Sequence, residues 1–511
     1  MKDESRLKNS IYNTLANLFL KFGTTILSFI IRTYFIHILG EQLLGLDGLL
    51  TNILSLLSLA ELGFSTAISF SLYKPLAKKD NEKVSQLITY FKKIYQKIAL
   101  FILIVGLCLL PFLKYIVKDY TASDNIYLIY ILYLINTVSS YFVSYSATLI
   151  EADQKYYETS KIVIFFDLLT SALQLIALLI FKNFILYLVV QFFARFIQRV
   201  VTNNYIQKKY KDINFKTEKE LSKTEKNKIK NDIKGLLFHR IGDYAVNSTD
   251  NILISSIVNI STTGIYSNYL SLISVVKGLI SSVMVAPTSS MGNLNVKESP
   301  KVKNNVFDMI NYLCYFISGI ATIGVYFCIN NFITIWIGEK FLLSQACVFL
   351  ISLNLYLTCV ILPITTMKNA TGLYYIDRYV PVLQAIINLI VSIIAGIFFG
   401  IFGILLGTAV SYLFVAMIIK PYYVYKYVFQ AKVKTYYLYF IKNVLVLVFS
   451  ALISYIIIKS ITLNNILVQL LFNGIVSVLV YIIIFILISI NSKEFKYFKG
   501  LFINLLKKER V

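Results

Sequence analysis

The chain has few of the residues that enzymes and metalloproteins use for chemistry. It contains only two His and one Trp, and its five cysteines lie in apolar stretches without C-x-x-C spacing. A zinc site or a disulfide framework is therefore not expected, and the cysteines are interpreted as small buried hydrophobic residues. The sequence also lacks a Walker loop, a DxD-like acidic cluster and a His-Glu metal motif. We therefore predict no catalytic residue, no metal and no cofactor, and a protein that is not an enzyme.

Charge is also scarce, and it is uneven in sign. Only 15% of the 511 residues are charged, 57% are hydrophobic, and the formal net charge is +23. This composition is far from that of soluble globular proteins and is typical of polytopic membrane proteins. The cations lie between apolar segments, so we expect a lipid bilayer and no nucleic acid as partner. The basic residues 1–9 precede no cleavage site, and no cleavable signal is predicted.

Fourteen apolar segments are long enough to cross a bilayer. They are 10–38, 44–73, 94–113, 125–149, 162–181, 184–206, 235–258, 265–293, 305–329, 344–367, 379–399, 403–419, 436–458 and 465–490. Most Lys and Arg residues fall in alternate connections, and the others carry only Lys114, Lys118, Lys182, Lys340 and Lys459. Because cytoplasmic loops are rich in Lys and Arg, both termini are predicted to be cytoplasmic.

The longest polar stretch divides the chain into two halves. It follows the sixth span, which predicts an N-terminal lobe (1–206), a basic cytoplasmic linker (207–234), a C-terminal lobe (235–430) and two further helices with a basic tail (431–511). A shift of 219 residues places Lys21 on Arg240 and Gly45 on Gly264. Six helices per lobe give both lobes the same orientation, so the predicted symmetry axis runs along the membrane normal.

The first span carries a polar stripe. Its members recur at steps of four and three and therefore share one face of a helix; they are Ser10, Thr14, Asn17, Lys21, Thr25, Ser28 and Arg32. A charge at the bilayer centre costs roughly 2.5–3.5 kcal/mol, so these cations should face protein or water. The stripe predicts one wall of a cationic, water-filled cavity. The alternative is a set of buried cations neutralised by neighbouring helices.

Similar stripes occur in spans two, seven and eight. The predicted cationic cavity is formed by Lys21, Arg32, Arg240, Lys277 and Arg195, and the predicted polar lining by Asn17, Thr25, Ser28, Ser58, Asn247 and Ser274. Glu61, Asp243 and Asp250 are candidates for charge pairing or ion coupling. Asp243 lies one turn after Arg240, so a local helix pair is an equally good interpretation. Lys97, Lys161, Arg199 and Lys420 lie near inner helix ends, where snorkelling to the headgroups is expected.

Five sequence segments resemble one known family. They are FIHILGEQLLGLDGLL, LSLAELGFSTAIS, STDNILISSIVNISTTGIYSNY, IWIGEKFL and KNATGLY, and their order and spacing extend over most of the chain. Together they resemble the polysaccharide transporter (Wzx-type flippase) branch of the multidrug/oligosaccharidyl-lipid/polysaccharide (MOP) exporter superfamily. The resemblance implies an all-α, MATE-like membrane protein. In it, two pseudo-symmetric six-helix lobes surround a central cavity, and about fourteen transmembrane helices include two at the C-terminus.

The resemblance also implies a function. The substrate would be an oligosaccharide repeat unit on undecaprenyl pyrophosphate, moved by alternating access from the inner to the outer leaflet of the bacterial cytoplasmic membrane. The product would serve capsule, exopolysaccharide or teichoic-acid synthesis, with the polysaccharide polymerase and glycosyltransferases as further partners. A lipid II flippase is the nearest alternative, followed by a multidrug cation exporter or a scaffold subunit. The driving force is open, since a proton, a sodium ion and the membrane potential are all compatible with the sequence.

Overall fold

The computed structural model contains helices and no strand among the residues that it describes. These residues are 2–58, 64–153, 155–227, 229, 248–285, 287, 291, 298–371, 373 and 376–508, and side chains are described for them except at 2–22, 24, 25, 64–67, 70 and 501–508. Two compact units divide the chain at Gly264, the first Met1–Gly264 and the second Ile265–Val511.

The first unit contains seven helices that are labelled here, and residues 223–227 and 248–258 are helical as well. The labelled helices are α1 (Lys2–Leu57), α2 (Phe64–Lys78), α3 (Asn81–Ile116), α4 (Ile126–Tyr141), α5 (Ser144–Ala152), α6 (Tyr156–Phe181) and α7 (Phe184–Lys209). Helix α1 packs on α6, α6 on α7, and α4 on both α3 and α7. Helix α1 bends at Gly40, whose φ of 85° is in the region that glycine adopts without a steric penalty. This bend separates the first predicted span from the second.

Helix α8 (Ile260–Val285) begins in the first unit and continues into the second. The later helices are α9 (Pro300–Ile337), α10 (Gln345–Thr371), α11 (Val380–Phe399), α12 (Ile401–Phe429), α13 (Lys434–Ser460), α14 (Ile466–Ser489) and α15 (Lys493–Lys508). Helix α9 packs on α10 and α14, and α11 forms a tight hairpin with α12. Tyr481 of α14 lies over Gly319 of α9 and donates a hydrogen bond to Tyr315 O, 3.0 Å away.

The described helices agree with the predicted spans. Each predicted span overlaps a described helix, although only residues 248–258 of the seventh are described. Within the described part, eleven helices are long and apolar enough to cross a membrane, or twelve if the bent pair Ile126–Tyr141 and Ser144–Ala152 is one span. The count is lower than fourteen because α1 carries both the first span and the start of the second, and because most of the seventh span lies outside the described residues. The prediction of an all-α membrane protein is confirmed, and a total near fourteen agrees with these helices.

Several helices begin at a residue whose side chain caps the first turn. Asn125 accepts hydrogen bonds from Tyr127 N (3.0 Å) and Leu128 N (3.3 Å) at the start of α4. Asn183 before α7, Ser344 before α10 and Asn465 before α14 cap their helices in the same way. Because the first backbone N–H groups of a helix have no intrahelical acceptor, these caps fix where each chain segment begins its span.

Two glycines form a close helix contact within the first unit. A Cβ atom on Gly45 would lie 2.1 Å from Ile260 O and 2.9 Å from Gly264 N. A Cβ atom on Gly264 would lie 2.1 Å from Glu41 O. Only glycine permits this approach of the backbones of α1 and α8. These are the two glycines that the shift of 219 residues superimposes.

The first part of the predicted linker packs against the N-terminal end of α3. Leu221 of this segment is buried, with 4% of its surface exposed. Its polar contacts are Asn214 N to Ser85 Oγ (2.9 Å), Thr217 N to Thr89 Oγ1 (3.2 Å), Lys83 to Glu225 (2.5 Å) and Lys219 to Glu82 (2.8 Å). Segment 210–227 is therefore a docked part of the first unit. The predicted limits of lobes and linker stay a prediction.

Candidate functional site

A charged cluster lies on α1, on both sides of the Gly40 bend. Arg32 precedes the bend by about two helical turns, and Asp47 follows it by about two turns. These two side chains attract each other electrostatically. Tyr133 of α4 donates its hydroxyl hydrogen to Asp47 Oδ1. Tyr187 of α7 interacts electrostatically with both charges. Three helices of the first unit thus hold one cation, one carboxylate and two phenols together.

An aromatic group fixes the backbone beside Arg32. Phe35, one turn farther along α1, packs edge-on against Phe184 at 5.3 Å and against Tyr187 at 5.5 Å between ring centroids. Phe35 is 3% exposed and Phe184 is fully buried. Edge-to-face ring pairs add directional packing to the burial of apolar surface. The segment that carries Arg32 is therefore held against the start of α7.

Polar side chains beside this cluster are open to solvent. Ser28 and Thr51 are exposed, and Ser55 and Ser58 are half-buried. Ser58 donates to Leu54 O of its own helix at 2.8 Å, which satisfies its hydroxyl without another helix. Polar groups at membrane depth face protein or water rather than lipid, because the hydrocarbon core offers no hydrogen-bond partner. The geometry of α1 is thus compatible with an aqueous face that the half-buried Arg32 borders.

A second group of charges joins α4, α6 and α7. Arg195 forms an ion pair with Asp167 and donates a hydrogen bond to Gln198 Oε1 at 3.1 Å. Arg199, one turn later, donates to Asn136 O (2.9 Å), Asn136 Oδ1 (3.1 Å) and Ser139 Oγ (2.6 Å). Its described acceptors are all neutral. Arg195, predicted to bind substrate, is therefore matched by an internal acid, while Arg199, predicted to snorkel, is held by uncharged groups of α4.

The other candidate residues whose side chains are described have contacts of their own. Asp250 is buried, with 8% of its surface exposed. Ser274 is exposed and donates to Ser271 O at 2.8 Å. Lys277 is half-buried and interacts electrostatically with Cys359 of α10. The side chains of the remaining candidates lie outside the description; these are Asn17, Lys21, Thr25, Glu61, Arg240, Asp243 and Asn247. Roles in substrate binding or ion coupling stay predictions for the whole set.

Two features were missed by the sequence analysis. Asp47 lies on the polar face of span two, but helical spacing does not relate it to Arg32, because a bend separates the two residues. The second is a buried ion pair, in which Lys368 Nζ lies 2.8 Å from Asp377 Oδ2 with side-chain exposures of 8% and 1%. Both residues lie in a predicted inner connection, where solvated charges were expected. A Lys and an Asp nine positions apart give no sequence signal of such a pair.

An apolar groove lies along α13. Its volume is about 620 Å³, and it is lined by Leu438, Ile441, Lys442, Leu445, Val446, Val448, Phe449, Leu452 and Ile488. Lys442 is the single charged residue of this lining. A groove of this composition is suited to an acyl or prenyl chain, because it excludes groups that need hydrogen bonds.

Metal chemistry has no candidate within the described part of the chain. No group of three or more His, Cys, Asp or Glu side chains is arranged there to hold a metal ion. Among the charges that the structure brings together there is one Arg–Asp ion pair, Arg195 with Asp167. An arginine guanidinium binds a carboxylate or a phosphate through two parallel hydrogen bonds, so this pair defines anion-binding chemistry.

The fold is similar to that of solved membrane transporters. The chain is similar to a lipid II flippase MurJ in an inward closed conformation, with a TM-score of 0.69 and 14% identity over 93% of this chain and 99% of that one. It is also similar to an inward-facing multidrug resistance MATE transporter of the MOP superfamily, with a TM-score of 0.61 and 12% identity, covering 77% and 92%. A Vibrio cholerae MATE transporter has a TM-score of 0.55 and 13% identity, covering 79% and 95%. No curated protein sequence matches the chain.

A family model described as "Polysaccharide biosynthesis protein" matches residues 7–292. The chain belongs to this polysaccharide biosynthesis family. The resemblance inferred from the sequence motifs is thereby confirmed, and so is the MATE-like fold that it implied.

Proposed function

We propose that the chain is a flippase for lipid-linked oligosaccharides. Its substrate is an oligosaccharide repeat unit on undecaprenyl pyrophosphate, which it moves from the inner to the outer leaflet of the bacterial cytoplasmic membrane, with both termini in the cytoplasm. The product serves capsule, exopolysaccharide or teichoic-acid synthesis. The observation that carries this proposal is Arg32, a cation on a polar helix face at membrane depth in a member of a polysaccharide biosynthesis family.

The chemistry of the substrate fits the charges of the first unit. A pyrophosphate-sugar headgroup is large, polar and anionic, and its passage through a bilayer needs water and a cation to replace lost hydration. Arg32 supplies a guanidinium, which forms charge-assisted hydrogen bonds with phosphate oxygens. Ser28, Thr51 and Ser58 supply neutral hydroxyl groups suited to sugar hydroxyls.

The lipid part of the substrate has different needs. An undecaprenyl chain is insoluble in water and remains in apolar surroundings while its headgroup crosses. The groove along α13 offers such surroundings, with Lys442 as its single charge. By its own composition this groove suits a prenyl chain.

A lipid II flippase is the second candidate. The specific observation in its favour is the fold similarity to MurJ, which extends over 93% of this chain and 99% of the MurJ chain. Both candidate substrates are lipid-linked pyrophosphates, so the same cations serve either one. The two proposals differ in the sugar and in the phenotype of a deletion strain.

The experiment is deletion of the chain followed by complementation with the wild type, Arg32→Ala or Lys114→Ala. Deletion should leave lipid-linked oligosaccharide on the inner leaflet, where an added impermeant glycosidase does not reach it in intact spheroplasts. Arg32→Ala should lower export of surface polysaccharide about tenfold or more at unchanged membrane abundance, since a charge-assisted hydrogen bond contributes roughly 1.5–3 kcal/mol. Lys114, an exposed residue of an outer connection, is the control and should restore export.

The glycan that accumulates decides between the candidates. Accumulation of a polysaccharide repeat unit supports the oligosaccharide flippase, whereas accumulation of lipid II with loss of viability supports the second candidate. Normal export by Arg32→Ala at normal abundance contradicts the cationic site. Normal leaflet distribution in the deletion strain contradicts transport and favours a scaffold role.

A further inference from the structure

The turn between α12 and α13 contains a cationic pocket. Its volume is about 620 Å³, and its lining comes from the end of α12, the turn and the start of α13; the lining residues are Tyr422, Lys426, Gln430, Ala431, Lys432, Val433 and Lys434. The three lysines of this lining are exposed, and none of its seven residues is acidic. A concave surface with three cations and no anion has the charge to bind an anionic group.

The backbone of the hairpin fixes the shape of this pocket. Gln430 has a φ of 50°, a left-handed conformation that ends α12 and reverses the chain. Ala431 N then donates a hydrogen bond to Tyr425 O at 3.1 Å. Tyr437 of α13 donates to Ile418 O of α12 at 2.7 Å, which links the two helices beside the turn. The pocket is therefore formed by one hairpin of the second unit.

Two tyrosine rings position Lys426 in the pocket. Its Nζ lies 5.5 Å from the centroid of the Tyr422 ring and 5.4 Å from that of Tyr427. The same Nζ donates a hydrogen bond to Tyr422 Oη at 3.3 Å. A cation within about 6 Å of an aromatic ring is attracted by the face of that ring. The rings orient the ammonium group and, being uncharged, leave its full charge available to an anion.

The segment around the pocket contains no carboxylate that could neutralise these lysines. Residues 378–493, which include α11 to α14, contain no Asp and no Glu. Across the described residues, no ion pair involves a lysine of the pocket. In the first unit, by contrast, Lys209 at the end of α7 forms an ion pair with Glu158. An anion for the pocket therefore has to come from a bound partner.

An apolar ridge leads from the pocket along α12. Its members recur at steps of four and share one face of the helix; they are Phe414, Ile418, Tyr422 and Lys426, and all four are exposed. At a rise of about 1.5 Å per residue the ridge is about 18 Å long, which is close to half of the roughly 30 Å hydrocarbon core of a bilayer. The ridge therefore offers a contact for acyl chains in the leaflet whose headgroups lie beside the pocket.

We propose that this pocket binds the phosphate group of an anionic glycerophospholipid, with its acyl chains along the ridge of α12. Basic pockets at the membrane surface bind the headgroups of anionic lipids. A soluble phosphate compound would contact the lysines but not the ridge, so the ridge favours a lipid. The distribution of Lys and Arg predicts that this lipid belongs to the cytoplasmic leaflet. It is a lipid of the surrounding bilayer rather than the transported substrate, so the inference does not depend on the proposed function.

Helix α13 offers a matched control at its other end. Lys459 Nζ lies 5.7 Å from the centroid of the Tyr455 ring, and both side chains are exposed. This contact repeats the lysine–tyrosine contact of the pocket, but Lys459 does not line the pocket. Lys459→Gln therefore removes one cation and one cation–π contact without changing the proposed site.

The experiment titrates the purified, delipidated full-length protein in a neutral detergent and counts bound molecules by native mass spectrometry. The probes are phosphatidylglycerol, its zwitterionic counterpart phosphatidylcholine, glycerol 3-phosphate as a headgroup without chains, and farnesyl phosphate as a prenyl-linked phosphate. The variants are Lys426→Gln, Lys459→Gln, a triple variant with Lys426, Lys432 and Lys434 changed to Gln, and a triple variant with the same lysines changed to Arg. Thermal unfolding without lipid shows whether each variant is folded.

The wild type should bind phosphatidylglycerol about tenfold or more tightly than the other three probes. Lys426→Gln should weaken this binding about fivefold, the order expected for one Lys beside an anionic lipid surface, and the triple Gln variant about a hundredfold. The triple Arg variant and Lys459→Gln should keep the wild-type affinity. Tm without lipid should be unchanged in all variants, because the substituted side chains are exposed, and phosphatidylglycerol should raise the Tm of the wild type but not of the triple Gln variant.

Several results would overturn the proposal. Equal binding of phosphatidylglycerol and phosphatidylcholine, or unchanged phosphatidylglycerol binding by the triple Gln variant, means that the pocket is not an anionic-lipid site. Binding of glycerol 3-phosphate as tight as that of phosphatidylglycerol assigns the pocket to a soluble phosphate compound, and tighter binding of farnesyl phosphate assigns it to a prenyl-linked ligand. An equal loss in Lys459→Gln and Lys426→Gln means that any surface cation has the same effect.

Discussion

Two ion pairs, one in each unit, differ in how far water reaches them. In the first unit the pair Arg195–Asp167 has side-chain exposures of 34% and 12%. In the second unit the pair Lys368–Asp377 has exposures of 8% and 1%. In the sequence, all four residues are charges that lie in or beside apolar segments. The difference shows that burial limits what an ion pair can do. An exposed pair can exchange one partner for another charged group, whereas a buried pair only stabilises the structure.

The same contrast extends to the surrounding interior. The described core of the second unit is built largely from neutral hydrogen bonds and rings, such as Tyr269 OH to Asn330 Oδ1 at 2.7 Å and Asn388 Nδ2 to Thr408 Oγ1 at 3.0 Å. The described helices of the first unit instead contain the ion pair of Arg195 with Asp167.

The sealed pair offers the largest expected change in stability. Lys368→Met leaves Asp377 buried without its cation, and removal of one partner of a buried pair costs roughly 3–5 kcal/mol of unfolding free energy. The matched change in the more exposed pair, Arg195→Met, should cost less, because the side chain of Asp167 stays more exposed than that of Asp377. Thermal unfolding of both variants in the same detergent measures the difference.

The double variant Lys368→Met with Asp377→Leu tests the cause. Replacing both partners by apolar residues should recover much of the loss, because no uncompensated charge stays buried. Equal losses for Lys368→Met and Arg195→Met would remove the distinction between sealed and open pairs. A double variant as unstable as the single one would instead point to lost packing.

Gly45→Ala, at the glycine contact of the first unit, should lower the free energy of unfolding by less than Lys368→Met does. Gly45→Ala places a methyl group 2.1 Å from Ile260 O, a backbone atom that cannot rotate away. Overpacking of this kind costs typically 1–3 kcal/mol. Gly23→Ala is the control, because nothing lies within 4 Å of a Cβ at that helical position. Gly23→Ala should leave the free energy of unfolding unchanged or raise it by up to about 1 kcal/mol.

A double change sharpens this test. Once Gly45→Ala has forced α1 and α8 apart, Gly264→Ala should cost less than it does alone, since residues in contact are not additive. Thermal unfolding of the two single variants and the double variant measures the coupling. If the free-energy changes of the two single variants simply add in the double variant, the two glycines do not belong to one contact.

Much of the fold follows from the sequence, because apolar runs of bilayer length leave the backbone little choice but a helix. Asn125, Asn183 and Asn465 mark helix starts through a cap that depends on local sequence alone. The bend of α1 is harder to locate, since Gly40 lies in a nearly continuous helix and its φ of 85° is visible only in three dimensions.

The site was predictable in its cation but not in its partner. Arg32 lies on a stripe with regular spacing, whereas Asp47 meets it only because of the bend between them. For Lys368 and Asp377 the sequence predicts neither the partner nor the burial. Their position in a short polar connection predicts solvated charges, yet the chain folds back and buries both. Local periodicity identifies faces of helices, and contacts between turns and helices depend on tertiary packing.

Changes in segment 210–227 should have the smallest effect on stability, because the ion pairs of this segment are exposed. The hydrogen bond from Lys83 holds the pKa of Glu225 below its usual value. A lowered folded-state pKa means that this contact stabilises docking above the unfolded pKa of about 4.3 and is lost as the pH falls through the folded pKa. A fluorophore on Lys223→Cys in a Cys108→Ser background reports docking, because Cys108 is the exposed cysteine.

The emission of that fluorophore should stay constant from pH 7 to about pH 5 and change below about pH 4.3. Glu225→Gln should shift the signal toward the undocked value already at pH 7 and reduce the acid transition. Its expected cost is below about 1 kcal/mol, as for other exposed pairs. Glu218→Gln is the control, since Glu218 is exposed on the same segment and forms no described ion pair. An acid transition of unchanged size in Glu225→Gln would show that docking depends on the apolar contacts of Leu221 rather than on charge.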